Sequence, residues 1–207
     1  MDDHDSSLAV AQLWRHINLG DHTMSGADLS QKRLSDLGEC FADHDAYLAR
    51  LAQGDDIVYT VATAPSLAGP GDLAYGLGTL QPGTVGDEYF LTRGHYHAWR
   101  EAAEVYIGLS GQGGLVLQNE AGDQFVPLGA GDVVYVPGFT AHRTVNTGQL
   151  PLVYLGIYPA RAGHDYAGIA EDNFNLIVRL TEQGPQVVAR NHYRPATPDL
   201  TKTDQGD

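Results

Sequence analysis

Four side chains in this sequence, His95, His97, Glu104 and His142, could act together on one chemical centre. In an extended strand, residues two apart point to the same side, so His95 and His97 present two imidazoles to one point. Glu104 and Tyr106 repeat that parity. The intervening run Ala-Trp-Arg-Glu-Ala is long enough for a hairpin connection, which would set an adjacent strand carrying Glu104 beside the two histidines. His142 then supplies a fourth donor from a distant strand. Three neutral imidazoles and one carboxylate form a nitrogen and oxygen site suited to Fe, Mn, Zn, Ni or Cu, with room left for solvent or substrate. An isolated His-x-His is common on solvated strand surfaces, so the pair does not make a site by itself. The pattern around it decides.

Gly131, Pro137, His142 and Asn146 closely follow the second cupin motif, G-x5-P-x-G-x2-H-x3-N, with only the inner glycine displaced, to Gly138. The longer run Gly86-x-Glu88-x3-Thr92-x-Gly94-His95-x-His97-x6-Glu104-x-Tyr106 resembles the signature of the cupin-type phosphoglucose isomerases, small metal-dependent enzymes of archaea and some bacteria. The resemblance continues through Pro137-Gly138-Phe139, Ala141-His142-Arg143 and LVYLGIYPARAGHDY, ending at Tyr166, and spans roughly residues 30 to 170. It implies an all-β fold, a cupin jelly-roll β-barrel with a few short helices, in which His95, His97, Glu104 and His142 bind one divalent metal ion per chain (Fe, Mn, Zn or Ni). It further implies a metal-dependent glucose-6-phosphate isomerase that interconverts glucose 6-phosphate and fructose 6-phosphate through an enediolate. Thr92, Gly94, Tyr106 and Tyr158 would hold the substrate, and Glu104, His164 and Tyr166 would be catalytic.

One departure from the family pattern bears on phosphate binding. The pattern has Thr-x-Pro, whereas here Leu80 precedes Gln81-Pro82 and Thr79 lies one place upstream. A one-residue displacement in a strand changes the face. The ligand set alone is also compatible with other cupins: a mannose-6-phosphate isomerase, an Fe- and O₂-dependent dioxygenase, or a non-catalytic sugar-binding protein.

The chain's 207 residues fit one domain with a sizeable core. The expected division is an N-terminal arm over 1–30, partly disordered, a cupin isomerase domain over 31–190 and a mobile tail over 191–207. With 25 glycines, ten prolines and eleven tyrosines among many short apolar runs, the composition favours strands and turns over a helical bundle. A formal charge of −14 argues against nucleic acid or an anionic membrane as partner. An anionic sugar phosphate would therefore need local help, from the metal and from Arg93, Arg100 or Arg143. Cys40 is the single cysteine, so no intramolecular disulfide exists. The acidic N-terminus MDDHDSSLAV does not resemble a signal peptide, and no apolar run reaches a membrane span, so a cytoplasmic protein is expected. The resemblance and the many sheet edges suggest a homodimer.

Strands are expected at 57–63, 73–80, 88–97, 104–109, 113–118, 124–127, 132–136, 142–147 and 152–158, a spacing typical of barrels and sandwiches. A short helix through Ala46, Tyr47, Leu48 and Leu51 would be capped by Asp43 or Asp45 and stopped at Gly54. Residues 8–19 fit neither period and read as an amphipathic helix or an arm; DNFNLIVRL reads as a final helix or strand, followed by a β-like GPQVVAR. The glycine-rich turns at 111–114 and 129–131 open no helix and so are not phosphate loops. His4, His16, His22, His44 and His192 read as surface or hydrogen-bonded residues.

Overall fold

Strand alternation is plainest at the segments that later carry chemistry. In 104–110, Glu104 and Tyr106 are buried while Val105 and Ile107 are less so. In 133–136, Val134 and Val136 are buried while Val133 and Tyr135 are exposed. A period of two commits each strand to one inward face.

The computed structural model describes residues 14–67, 69–170 and 173–195. A small hairpin, β1 (Ile17–Asn18) and β2 (Thr23–Met24), precedes β3 (Asp28–Arg33), a 3-10 segment (Leu34–Cys40) and α1 (His44–Leu51). Then follow β4 (Ile57–Thr63), β5 (Leu73–Leu80), β6 (Thr84–Val85), β7 (Glu88–Tyr89), β8 (Glu104–Ser110), β9 (Gln112–Asn119), β10 (Gly122–Gly129), β11 (Val133–Val136), β12 (Ala141–Asn146) and β13 (Leu152–Pro159). The chain continues through α2 (Ala167–Ala170), β14 (Leu176–Thr181) and β15 (Gly184–Ala189).

A six-stranded sheet in the order β11-β8-β13-β5-β4-β3 and a three-stranded one, β10-β9-β12, enclose the core. Tyr106, Leu80, Leu152 and Val136 from the first meet Leu115, Leu128 and Val145 from the second in one cluster. Each fully buried leucine contributes roughly 1.5–3 kcal/mol through removal of apolar area from water. The protein is an all-β cupin jelly roll with a few short helices. Among the described residues no helix is long and apolar enough to cross a membrane.

Several expectations need correction. The strand expected over 88–97 breaks after Tyr89: the chain then runs irregularly beside β12, tied by bridges Leu91↔Val145 and His95↔His142. Between these bridges it carries one residue more than β12, a β-bulge, and Gly94 takes the left-handed conformation (φ +75°) that the bulge requires. The expected hairpin from His97 to Glu104 does not form. The 91–97 segment bridges β12, whereas β8 pairs with β11 and β13, so Glu104 reaches the histidines from the other sheet. Within residues 8–19 the described part holds only the strand Ile17–Asn18, and the rest lies outside the described residues. Of the two readings of DNFNLIVRL, its second half is strand β14, which pairs with β15. α1 is capped by Asp43, whose Oδ1 accepts the Ala46 N–H at 2.9 Å.

Candidate active site

The cavity-facing side chains come from one parity class per strand. Tyr59 and Val61 of β4, Gly76 and Gly78 of β5, Glu104 and Tyr106 of β8, and Tyr154, Gly156 and Tyr158 of β13 line one cavity. Thr92, Gly94, His95, His97, His164 and Tyr166 complete it. The rule also settles the departure at Thr79. Its parity is opposite to that of Gly76 and Gly78, and its hydroxyl is buried outside this cavity without a hydrogen-bond partner. Leu80 is fully buried in the apolar core.

His95, His97, Glu104 and His142 converge, their donor atoms all within 4.8 Å of one another. Each imidazole is oriented by its other nitrogen or by the strand beneath it. His97 Nδ1 lies 2.9 Å from the Ala102 carbonyl and His142 Nδ1 lies 3.2 Å from that of Thr140, so both donate there and turn Nε2 lone pairs inward. Those lone pairs meet the same carboxylate oxygen, Glu104 Oε2, at 3.3 and 3.1 Å. Lone pairs facing a carboxylate repel unless a cation stands between them. His95 Nε2 and His142 Nε2 are also buried without a hydrogen-bond partner. These orphaned nitrogens fit a metal ion, which the cluster is able to hold.

The electrostatics agree. Burial lowers the His95 pKa strongly, reinforced by His142, His164 and His97, so this imidazole is neutral and free to coordinate. Burial also works to lower the His97 pKa, but Glu104 and the Ala102 carbonyl outweigh it and the net shift is upward. Burial pushes Glu104 up, yet His142 and His97, where they carry protons toward it, more than reverse this and hold it at about 2; with those imidazoles neutral, a cation bound among them would hold the carboxylate ionised in the same way. The carboxylate is therefore ionised. Its two oxygens have separate surroundings: Oε2 meets the imidazoles, whereas Oε1 faces Gly156.

The segment after β13 folds back to close the site. Asp165 exchanges both backbone bonds with Tyr96, and the Trp99 N–H reaches the Ala162 carbonyl at 2.9 Å. Arg100 binds Asp165 and the His97 carbonyl, locking the two segments together. His164 is thereby set 4.4 Å, centroid to centroid, from His95, and Tyr166 stacks parallel to His164 at 5.8 Å. Tyr158 lies 6.3 Å from His97.

Tyr59, Val61, Gly76, Gly78, Tyr154 and Gly156 were not among the residues expected from sequence. A signal existed in Gly76-x-Gly78 and Tyr154-x-Gly156-x-Tyr158, where alternate residues are tiny or hydroxyl-bearing while their neighbours are apolar. Glycine matters here for its size. A β-carbon at 156 would stand 2.6 Å from Glu104 Oε1, and one at 78 would stand 2.3 Å from the Tyr154 ring. Gly156→Ala should displace Glu104 and lower divalent-cation affinity by about 10- to 100-fold, as other changes to groups supporting metal ligands do. Chelator competition on the purified variant measures it, and an unchanged affinity would show that Glu104 has slack.

A family model described as Glucose-6-phosphate isomerase (GPI) matches residues 31–196. A relative named Glucose-6-phosphate isomerase from Thermococcus kodakarensis is 45% identical over 176 residues, covering 84% of this chain and 92% of that protein. Proteins of the same name from Thermococcus litoralis and Pyrococcus horikoshii are 44% and 45% identical over 169 residues, each covering 81% of this chain and 88% and 89% of their own lengths. The matched residues run from within β3 through β15 and take in every residue of the cavity, and so the chain belongs to the glucose-6-phosphate isomerase family.

Proposed function

We propose that the protein is a metal-dependent isomerase interconverting glucose 6-phosphate and fructose 6-phosphate through an enediolate. The observation that carries this reading, in a chain of this family, is the convergence of three imidazole nitrogens and a carboxylate at a cavity whose other lining residues are tyrosines, Thr92 and glycines, with Val61 and His164. A divalent cation bound there (Fe, Mn, Zn or Ni) would supply Lewis acidity to the carbonyl and adjacent hydroxyl of an open-chain sugar.

The remaining groups act through their own protons and shape. Burial, with the Glu104 charge adding to it, raises the pKa of Tyr106 and Tyr158, so both stay phenols and donate hydrogen bonds to sugar oxygens. The Thr92 hydroxyl accepts the Thr144 N–H at 3.0 Å, which leaves its own O–H to donate. Gly94 admits substrate against bare backbone. Burial lowers the His164 pKa below 6.5, opposed by Glu104 and aided by His97 and His142, so the ring is neutral at pH 7. With Tyr166 beside it, we assign His164 to ring opening and to proton transfer between oxygens 1 and 2. Of the three arginines considered for an anionic substrate, Arg100 is paired with Asp165, and Arg93 and Arg143 both line a neighbouring cavity that shares Tyr166 with this one, where the Arg143 guanidinium is already engaged by the Arg93 carbonyl. Arg93 remains, poised 4.9 Å over the Tyr166 ring.

Residues 31–190 form the isomerase unit, and a cytoplasmic homodimer is the assembly we infer. The dimer reading is supported by two open edges of the six-stranded sheet, where Leu29 of β3 and Val133 and Tyr135 of β11 are exposed.

A coupled assay for fructose 6-phosphate conversion, run with and without chelator, tests the activity. We expect turnover that chelator abolishes, with kcat/KM on the order of 10² or more above that for the unphosphorylated sugars, because phosphate contacts hold the reacting carbons in place. Equal kcat/KM for glucose and glucose 6-phosphate would contradict the phosphate assignment. Preferential turnover of mannose 6-phosphate, O₂ consumption, or sugar binding without turnover would each replace the proposal with another cupin function.

A further inference from the structure

We propose that Arg143 is a positioning residue for His95, holding from behind the sheet the peptide that leads into this imidazole. The inference rests on reading the four-residue cluster as a metal site.

Arg143 follows His142 on β12, so its side chain leaves the opposite face of the strand. It is 3% exposed, and among the described residues no carboxylate lies within ion-pairing distance of it. A guanidinium buried without a carboxylate carries a desolvation penalty, so its hydrogen bonds are the compensation to look for. Two of them go to one atom: Nε and Nη2 both donate to the Arg93 carbonyl, at 3.3 and 2.7 Å. Cys40 Sγ adds a long contact to that oxygen at 3.9 Å.

That carbonyl belongs to the bulge. Thr92 and His95 donate their N–H groups to the Thr144 and His142 carbonyls of β12, but no backbone bond ties Arg93 or Gly94 to that strand. Gly94 is left-handed and neither it nor Arg93 has a backbone partner on β12, so no ladder fixes the two residues immediately before this metal ligand. Arg143 takes the place of that ladder.

The clamp has a back plate. Phe174, fully buried, lies under the Arg143 guanidinium at 4.4 Å. Its ring fills the space over Gly94, where a β-carbon would stand 2.5 Å from it. Phe174 is itself held on both sides. The neighbouring Asn173 amide donates to the Glu39 and Cys40 carbonyls, and Arg190 Nε donates to the Phe174 carbonyl at 2.7 Å. The segment beyond the barrel is thereby coupled to the first imidazole through Phe174, Arg143 and the Arg93–Gly94 peptide.

The test is divalent-cation binding to the full-length apoprotein, measured with Mn²⁺ by chelator competition and with Co²⁺ by its visible absorption. Arg143→Met should weaken Mn²⁺ binding by about 10- to 100-fold and alter the Co²⁺ spectrum, because His95 is no longer held in place. Arg143→Lys should fall between, since an ammonium can reach the carbonyl but neither forks nor stacks. A merely structural role would lower the melting temperature while the folded protein kept its affinity and spectrum, and that result would overturn the proposal. Should Arg143→Met fail to fold, Arg143→Lys and Phe174→Leu decide by the same two readouts, and wild-type values in both would overturn it. Failure of the wild-type protein to bind either cation would instead overturn the metal-site reading from which this inference starts.

Discussion

Replacing His142 with alanine should lower kcat/KM by on the order of 10³ or more and leave a protein that added divalent cation does not rescue. His142 is the ligand least able to be replaced by movement of its neighbours. It lies on β12, where all six residues are buried and both faces of the strand are covered. Its Nε2 is turned into the cluster by a bond from Nδ1 to the Thr140 carbonyl, and water has little access, the residue being 2% exposed. Loss of one imidazole from a four-donor set removes both affinity and the Lewis acidity that the bound cation contributes, an effect of several kcal/mol, or roughly three powers of ten in rate. The control is wild-type protein stripped by chelator, which should lose activity to a similar extent and regain it on adding cation. A folded, metal-free His142→Ala enzyme that retains wild-type kcat/KM would remove the basis for assigning the cluster to catalysis.

Glu104→Gln should reduce kcat by about 10²- to 10⁴-fold while retaining much of the cation, if Glu104 moves a proton as well as ligating. In that reaction Glu104 takes the proton from carbon 2 of the aldose, leaving an enediolate, and returns it to carbon 1. A second proton passes from oxygen 2 to oxygen 1 through His164 and Tyr166. The separate surroundings of the two carboxylate oxygens favour this division: Oε2 is engaged with His97 and His142, while Oε1 faces Gly156 on the cavity side. Against it stands the low proton affinity of a carboxylate that faces positive charge, whether protons on His142 and His97, which hold the Glu104 pKa at about 2, or a bound cation in their place. A cation that acidifies the substrate offsets part of that disadvantage. The rival is a hydride shift from carbon 2 to carbon 1, which needs no base. Isomerisation in D₂O separates them, since proton transfer places solvent deuterium at carbon 1 in part of the product and a hydride shift retains the original hydrogen. A Glu104→Gln enzyme that keeps its cation and most of its kcat would refute the base assignment, whatever the isotope pattern, because a shielded base can return its own proton.

Much of this was legible in the sequence, for a physical reason. Metal chemistry demands particular atoms, so His95, His97, Glu104 and His142 stand out by type and spacing. Strand faces follow from a period of two, and turn residues mark where strands end, so eight of the nine expected strands lie within two residues of those observed. The same parity foretold that Thr79 and Leu80 face opposite ways. What could not be read was which strand lies beside which. Local pattern specifies a strand's face but not its partner, because pairing is a contest among all compatible edges settled by burial of the whole core. A hairpin from His97 to Glu104 satisfied every local rule, yet the chain crosses between sheets there and the carboxylate meets the imidazoles across the barrel. Tertiary structure alone also decided the bulge at Gly94, with its unpaired carbonyl handed to Arg143 on the far side of β12. A bulge depends on a one-residue mismatch between segments some fifty residues apart, and no window of local sequence contains both.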